Sequence, residues 1–377
     1  MKALNLLIKP ASSLCNLQCR YCFYEDAAQN RMQHCMGLLQ EEQMERMVQQ
    51  VFATVEEGGN VNFAFQGGEP TVAGLPLLRR FVGFVKQYRP ANVHISYAIQ
   101  TNGTLLNETW AEFLKKEHFL VGLSLDGLRE VHDKYRLDKN GQGTWKQVLS
   151  AKKLLDRYGV ENNALCVVTG DCANHPERAY RSLKNLGFRY MQFIACLDPI
   201  GQPRGQESWS LTPDGYGRFL CGVFDLWYQD WASGNYHSVR LFEDYVHILL
   251  GDAASTCATC GRCGAYLVLE GDGSAYPCDF FALDNWKIGN LETMSVSEMM
   301  HSETVEKFLE WGTVKPTECG HCAHRAICNG GCKNDWYTDE NGSHNYYCTS
   351  FKMLLDYAMP RLLTIAAAEK AARKRYS

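Results

Sequence analysis

The sequence predicts an α/β fold: parallel strands alternating with helices in a full or partial (β/α) barrel, then a cysteine-rich module and a terminal helix. Three observations predict it. From residue 41 to about 240, apolar residues switch repeatedly between helical and strand periods. Beyond about 240 the segments become short, polar and rich in Gly and Cys. At 377 residues the chain also exceeds the size at which one hydrophobic core stops growing, so one large unit with an appendage or two domains is expected.

The opening MKALNLLIKPASS holds a short apolar run broken by Lys9 and Pro10, too short for a signal peptide or a membrane span. SSLCNLQCRYCFYED, residues 12–26, then puts Cys15, Cys19 and Cys22 on one loop with Tyr21 and Phe23 around the last. EEQMERMVQQVFATVEE sets Met44, Met47, Val48, Val51, Phe52 and Val55 on one helical face. NVNFAFQGGEP is a buried strand ending in Gly67, Gly68 and Pro70. VHISYAIQTNGT precedes the helix NETWAEFLKK, and FLVGLSLDG precedes TWKQVLSAKKLLDRY. NNALCVVTG leads to a helix near 174–186, and YMQFIACLDP to one near 212–232. Such alternation gives right-handed crossovers and a parallel sheet. Functional groups in that architecture belong at the C-terminal strand ends, where QGGEPT, QTNGT, SLDG and CLDP fall. The closing helix FKMLLDYAMPRLLTIAAAEKAARK is expected to kink or restart at Pro360.

With 38 basic against 42 acidic residues and a net charge of −4, the chain has no global attraction to nucleic acid or to an anionic membrane. A soluble, cytoplasmic protein is expected. In that compartment 17 cysteines are too many for a disulfide framework, which leaves metal as the default explanation. Cys35, Cys166, Cys172, Cys196 and Cys221 are scattered and read as small buried hydrophobes, as does Cys260. The last third, with CATCGRCGAYLVLEGDGSAYPCDF and CGHCAHRAICNGGC, is too poor in apolar residues to fold without metal.

Three thiolates on one loop can hold a cluster and leave a coordination position open. Structural zinc would want a fourth ligand, and none is evident unless His34 or Cys35 folds back. A [4Fe-4S] cluster on three cysteines has one iron free for a ligand, which gives the gap a purpose. With CNLQCRYC on the page, the sequence resembles the radical S-adenosylmethionine superfamily, whose motif is C-x3-C-x2-C with an aromatic before the last Cys. The resemblance implies a partial (β/α)6 TIM-like barrel over 1–240, S-adenosylmethionine chelated to the open iron, and a 5′-deoxyadenosyl radical on reduction. GGEP at 67–70 looks like that family's motif for the methionine amino group.

Cys263-x9-Gly273-x4-Cys278, Cys319-x2-Cys322-x5-Cys328-x3-Cys332 and Cys348 then match the seven-cysteine pattern of the SPASM domain. Cys257 adds an eighth thiolate. The resemblance implies, over 241–377, two fully ligated auxiliary [4Fe-4S] clusters, three in all, and a C-terminal helix. Read alone, the C-x2-C and C-x3-C pairs with His321 and His324 would suit zinc equally well.

From LLIKPASSLCNLQCRYCFY to NYYCTSFKMLLDYAMPRLL the chain looks most like the anaerobic sulfatase-maturating enzymes, which oxidise a Cys or Ser of a sulfatase to Cα-formylglycine. That likeness implies S-adenosylmethionine contacts at Tyr21, Gly68, Ser124, Arg136 and Leu197, with Tyr24 and Gln66 facing substrate and cofactor. It also implies a catalytic base at Asp279, in YPCDF, beside Cys278. Otherwise Asp279 is an exposed cap on the next turn. The implied partners are a sulfatase polypeptide carrying Cys/Ser-x-Pro-x-Arg and a ferredoxin or flavodoxin electron donor. The alternative is another SPASM-type peptide modifier forming a thioether, an epimerised centre or a cross-link.

Overall fold

The computed structural model describes residues 1–264 and 266–376. Six strands run parallel in chain order: β1 (Ala3–Ile8), β2 (Asn60–Phe65), β3 (His94–Thr101), β4 (Phe119–Ser124), β5 (Asn162–Val168) and β6 (Tyr190–Ala195). A two-residue β7 (Ser238–Val239) adds to β6, and the sheet stays open there. This is the partial barrel that the alternation predicts. Every second residue of β2 is buried, so Val61, Phe63 and Phe65 face outward onto the helices Glu41–Thr54 and Leu75–Tyr88. That core includes all six apolar positions predicted on the first helical face, five within the helix and Val55 at its C-cap.

The apolar run at the N-terminus is an interior strand. On its far side β1 pairs in parallel with β8 (Leu267–Leu269), followed by antiparallel β9 (Ser274–Tyr276) and β10 (Gly289–Asn290). The cysteine-rich half thus continues the sheet of the first half. A separate hairpin, β11 (Trp336–Asp339) and β12 (Gly342–Asn345), carries the chain toward the last helix.

That helix runs unbroken over Cys348–Tyr376 with Pro360 inside it, and does not restart. Leu354, Leu355, Ala358, Leu362 and Ile365 are all buried, so one apolar stripe packs on the core on both sides of the proline. Packing carries the helix across the missing hydrogen bond. No helix among the described residues is long and apolar enough to cross a membrane.

Candidate active site

The cysteine loop lies across the C-terminal ends of β1 to β4. Two backbone bonds pin it to the segment after helix Arg129–Tyr135: Gln18 N–H to Leu137 O at 2.8 Å and Arg20 N–H to Tyr135 O at 2.9 Å. Asn102, just past β3, donates to Asn16 Oδ1 at 2.9 Å and reaches Cys15 Sγ at 3.9 Å. The loop also passes directly over Gly68, where a Cβ would sit 2.3 Å from Leu14 O, and where φ is +48°. Only glycine fits there. Gly68→Ala is therefore expected to displace the loop and lose one cluster's worth of iron while the other two load, read by iron and sulfide analysis after reconstitution.

Glu69 of GGEP is buried and fully occupied by the fold. Its carboxylate accepts from Thr71 N–H, Thr71 Oγ1, Thr101 Oγ1 and Asn102 N–H at 2.6–3.0 Å. It ties the turn after β2 to the end of β3.

Burial pushes Cys15 up to about 11 and Cys19 up to about 12, and the neighbouring loop thiols add like charge. Three such sulfurs call for a positive partner. Among the described residues no three Cys, His, Asp or Glu side chains converge tightly enough for a single metal ion.

Arg136 is buried beneath this loop and binds Asp126 through two nitrogens, Nε to Oδ2 at 3.1 Å and Nη2 to Oδ1 at 3.2 Å. Tyr21 donates its hydroxyl to the same carboxylate, and Val167 N–H to Asp126 Oδ1 at 2.9 Å. Burial would raise the Asp126 pKa, but the Arg136 guanidinium and His132 hold it below the usual carboxylate range. Arg136 and Tyr21 are thus structural as well as close to the loop. Ser124 ends β4 and accepts from Gln100 Nε2 at 2.9 Å, and Leu197 follows β6, half-buried.

Asp279 is buried, at 5 % exposure, and is not a surface cap. Tyr24 donates to Oδ2 at 2.5 Å, and Gln66 Nε2 donates to the Tyr24 oxygen at 2.5 Å. Oδ1 lies 3.2 Å from Lys9 Nζ, paired by charge, with no hydrogen-bond donor aimed at it among the described residues. Lys9 also reaches Glu270 at 3.4 Å, and Arg31 holds Glu270 at 2.6 Å. Two cations and two carboxylates are thus buried together.

Lys9, Glu270 and Arg31 were not among the expected site residues. The signal for two of them is register: Ile8 pairs with Phe65 and with Leu269, so Lys9, Gln66 and Glu270 come next at one level of the sheet.

The eight downstream thiols fall into two sets. Cys319, Cys322, Cys328 and Cys348 line one space, edged by Arg325 and Lys352. Cys257, Cys263, Cys278 and Cys332 form the other: burial raises Cys257, Cys278 and Cys332, and lesser contributions come from Cys263 on Cys257, from Cys257 on Cys278, and from Cys257 and Cys278 on Cys332. Four sulfurs in each set fit iron-sulfur clusters, with Glu318 and His324 also lining the first space. Of the remaining six, Cys166, Cys172 and Cys196 are buried as expected, but Cys35 and Cys221 are only half-buried. Cys260 is exposed, because it ends the four-residue helix Cys257–Cys260 on the surface with its thiol on Ala254 O.

The family profile Radical SAM superfamily matches residues 10–183, and the SPASM profile, an iron-sulfur cluster-binding domain, matches 260–323. The chain is 43% identical to a cysteine-type anaerobic sulfatase-maturating enzyme of Clostridium novyi (strain NT), over 97% of this chain and 98% of that one. It is 30% identical to a serine-type enzyme of Bacteroides thetaiotaomicron, over 95% and 90%. The solved structure of native anSMEcpe with bound AdoMet and Cp18Cys peptide superposes with a TM-score of 0.91 at 41% identity, covering 97% and 99%. Streptococcus suis SuiB bound to S-adenosylmethionine, at 16% identity and a TM-score of 0.61 over 88% and 73%, shares the fold. With an open cysteine loop on a partial barrel, two further sulfur sets and this degree of identity along its length, the chain belongs to the anaerobic sulfatase-maturating enzymes of the radical SAM superfamily.

Proposed function

We propose that this protein oxidises a cysteine of a sulfatase, within Cys-x-Pro-x-Arg, to Cα-formylglycine, with Asp279 as the base. One observation carries the reading: a buried carboxylate beside Cys278 whose Oδ1 is ion-paired with Lys9 at 3.2 Å and, among the described residues, accepts no hydrogen bond. Cysteine in preference to serine follows from the greater identity to the cysteine-type relatives, 43% against 30%.

Cys15, Cys19 and Cys22 would hold the first cluster, with Tyr21, Gly68, Ser124, Arg136 and Leu197 around the cofactor. Bound together, cluster and S-adenosylmethionine supply a 5′-deoxyadenosyl radical that removes one hydrogen atom from the target Cβ. Asp279 Oδ1 accepts the thiol proton, general-base catalysis of a kind that needs the acceptor within hydrogen-bond reach. Tyr24 fixes the other oxygen, Gln66 fixes Tyr24, and Lys9 lies 3.2 Å from Oδ1 as its ion-pair partner. Cys278, next in the chain, would hold an auxiliary cluster that takes the remaining electron. The product, a thioaldehyde, loses hydrogen sulfide to water and leaves the aldehyde. A ferredoxin or flavodoxin is the reductant that we assign, since single electrons must be delivered. All the thiols are free, as suits the reducing cytoplasm in which we place the protein.

The test is incubation of the reduced, reconstituted enzyme and S-adenosylmethionine with a Cys-x-Pro-x-Arg peptide and its Ser counterpart. Formylglycine mass is expected from the Cys peptide first. Deoxyadenosine release with both peptides unchanged would sink the assignment, and a thioether or epimer in its place would select the alternative chemistry.

A further inference from the structure

The cysteine-rich half buries one ammonium that the proposed reaction does not use. Lys333 follows Cys332 at the start of the turn Lys333–Asp335 and is 3 % exposed. Its Nζ donates to Phe308 O at 2.6 Å. Three rings surround it, with centroids at 3.0 Å for Phe308, 4.5 Å for Trp311 and 5.6 Å for Phe281. Trp286 stacks on Trp311 at 5.5 Å and closes the outside of the cage. Burial works against the ammonium, and Cys263, Cys278 and Cys332 are the neighbours that favour its charged form.

A buried cation is costly unless opposite charge compensates it. Aromatic faces compensate part of that cost. Among the described residues, the negative charges bearing on Lys333 are those three sulfurs, with no carboxylate in ion-pair contact. The cage also keeps water away, so the interaction is screened far less than one at the surface. The other sulfur set has no fully buried lysine of this kind: Lys315, 5.3 Å from the Trp336 ring centroid, and Lys352, on the long C-terminal helix, lie beside it, both only half-buried and open to solvent screening.

The potential of an iron-sulfur centre follows its net charge, the hydrogen bonds to its sulfurs and its exposure. We propose that Lys333 is a fixed positive charge that raises the reduction potential of the centre held by Cys257, Cys263, Cys278 and Cys332, so that this centre accepts the electron leaving the substrate. This rests on the assignment of those four cysteines as one cluster's ligands. The balance is one electron from the substrate radical to that centre and one proton to Asp279. The charge on Lys333 stabilises the added negative charge.

Full-length Lys333→Met and Lys333→Arg, each reconstituted in a Cys15→Ala/Cys19→Ala/Cys22→Ala background that silences the first cluster, test this by potentiometric titration followed by EPR. Lys333→Met should shift the reduction equilibrium of one of the two remaining centres by roughly tenfold against reduction, about 59 mV for a one-electron couple. Lys333→Arg should stay near the parent, and the second centre should not move. With the first loop intact, Lys333→Met should release deoxyadenosine at the parent rate but form aldehyde more slowly. A fully loaded Lys333→Met at the parent potential overturns the inference. Should Lys333→Met bind less iron, Lys333→Gln, which still donates to Phe308 O, is read in its place. Loss of iron in both makes Lys333 a folding residue and also overturns it. A parent background that binds no iron overturns the ligand assignment instead, so the two failures are distinct.

Discussion

Asp279→Asn should lower formylglycine formation by about 10²- to 10⁴-fold, the span that one positioned base contributes, while deoxyadenosine release continues. The amide keeps the shape of the side chain, and its oxygen can still accept from Tyr24, so the turn Asp279–Phe281 should hold. What it loses is the charged acceptor. Hydrogen abstraction from Cβ comes earlier and does not need that group, so the two products should separate: cofactor consumed, peptide returned. Chromatography with mass detection reads both from one incubation. Aldehyde at the parent rate would remove Asp279 as the base and leave Tyr24 or Glu270 as the group to test next.

Lys9→Met should cost about 3–5 kcal/mol of stability, the penalty for breaking a buried ion pair and leaving its partner uncompensated. Lys9 is 3 % exposed, and its stem packs on Gly67, where a Cβ would lie 2.4 Å from Lys9 Cγ. Without the ammonium, Glu270 and Asp279 share only Arg31, which touches Glu270 alone. Burial pushes Glu270 up, yet Lys9 and Arg31 together hold it below the usual glutamate range. A carboxylate depressed on folding contributes stability above its unfolded pKa and loses it as pH falls through the folded value. The deficit of Lys9→Met should therefore be greatest near neutral pH and shrink on acidification through the lower carboxylate range. Equilibrium unfolding in denaturant at several pH values measures it. A second change, Glu270→Gln, should recover part of the loss, and an additive double mutant would show that the two charges are not coupled.

The barrel was legible because period is a local property: each strand and helix announces itself within some ten residues. The cysteine loop was legible for the same reason, and so was the adjacency of Asp279 and Cys278, which are neighbours in the chain. Lys9 was not. In one dimension it interrupts an apolar run, and its meaning depends on Ile8 lying beside both Phe65 and Leu269. Arg136 was expected near a cofactor carboxylate, but its bond to Asp126 ten residues away was hidden, since SLDG reads equally well as a strand stop. Cys260 shows the opposite limit. Composition makes a spare cysteine a core residue, and only the surface course of its short helix exposes it.

The pairing of β1 with β8 decides whether the halves of this chain are modules. Deleting everything beyond residue 240 would turn β1 from an interior strand into an edge. Leu6 to Ile8 would lose their partners, and Lys9 N–H its bond to Leu269 O. A bare apolar edge of that kind recruits other chains. Lys9 and Arg31 would lose their carboxylates at the same stroke. The cysteine loop and Asp279 therefore inherit their spacing from one continuous ladder of backbone bonds, which makes the protein inseparable at the seam where its two sequence patterns meet.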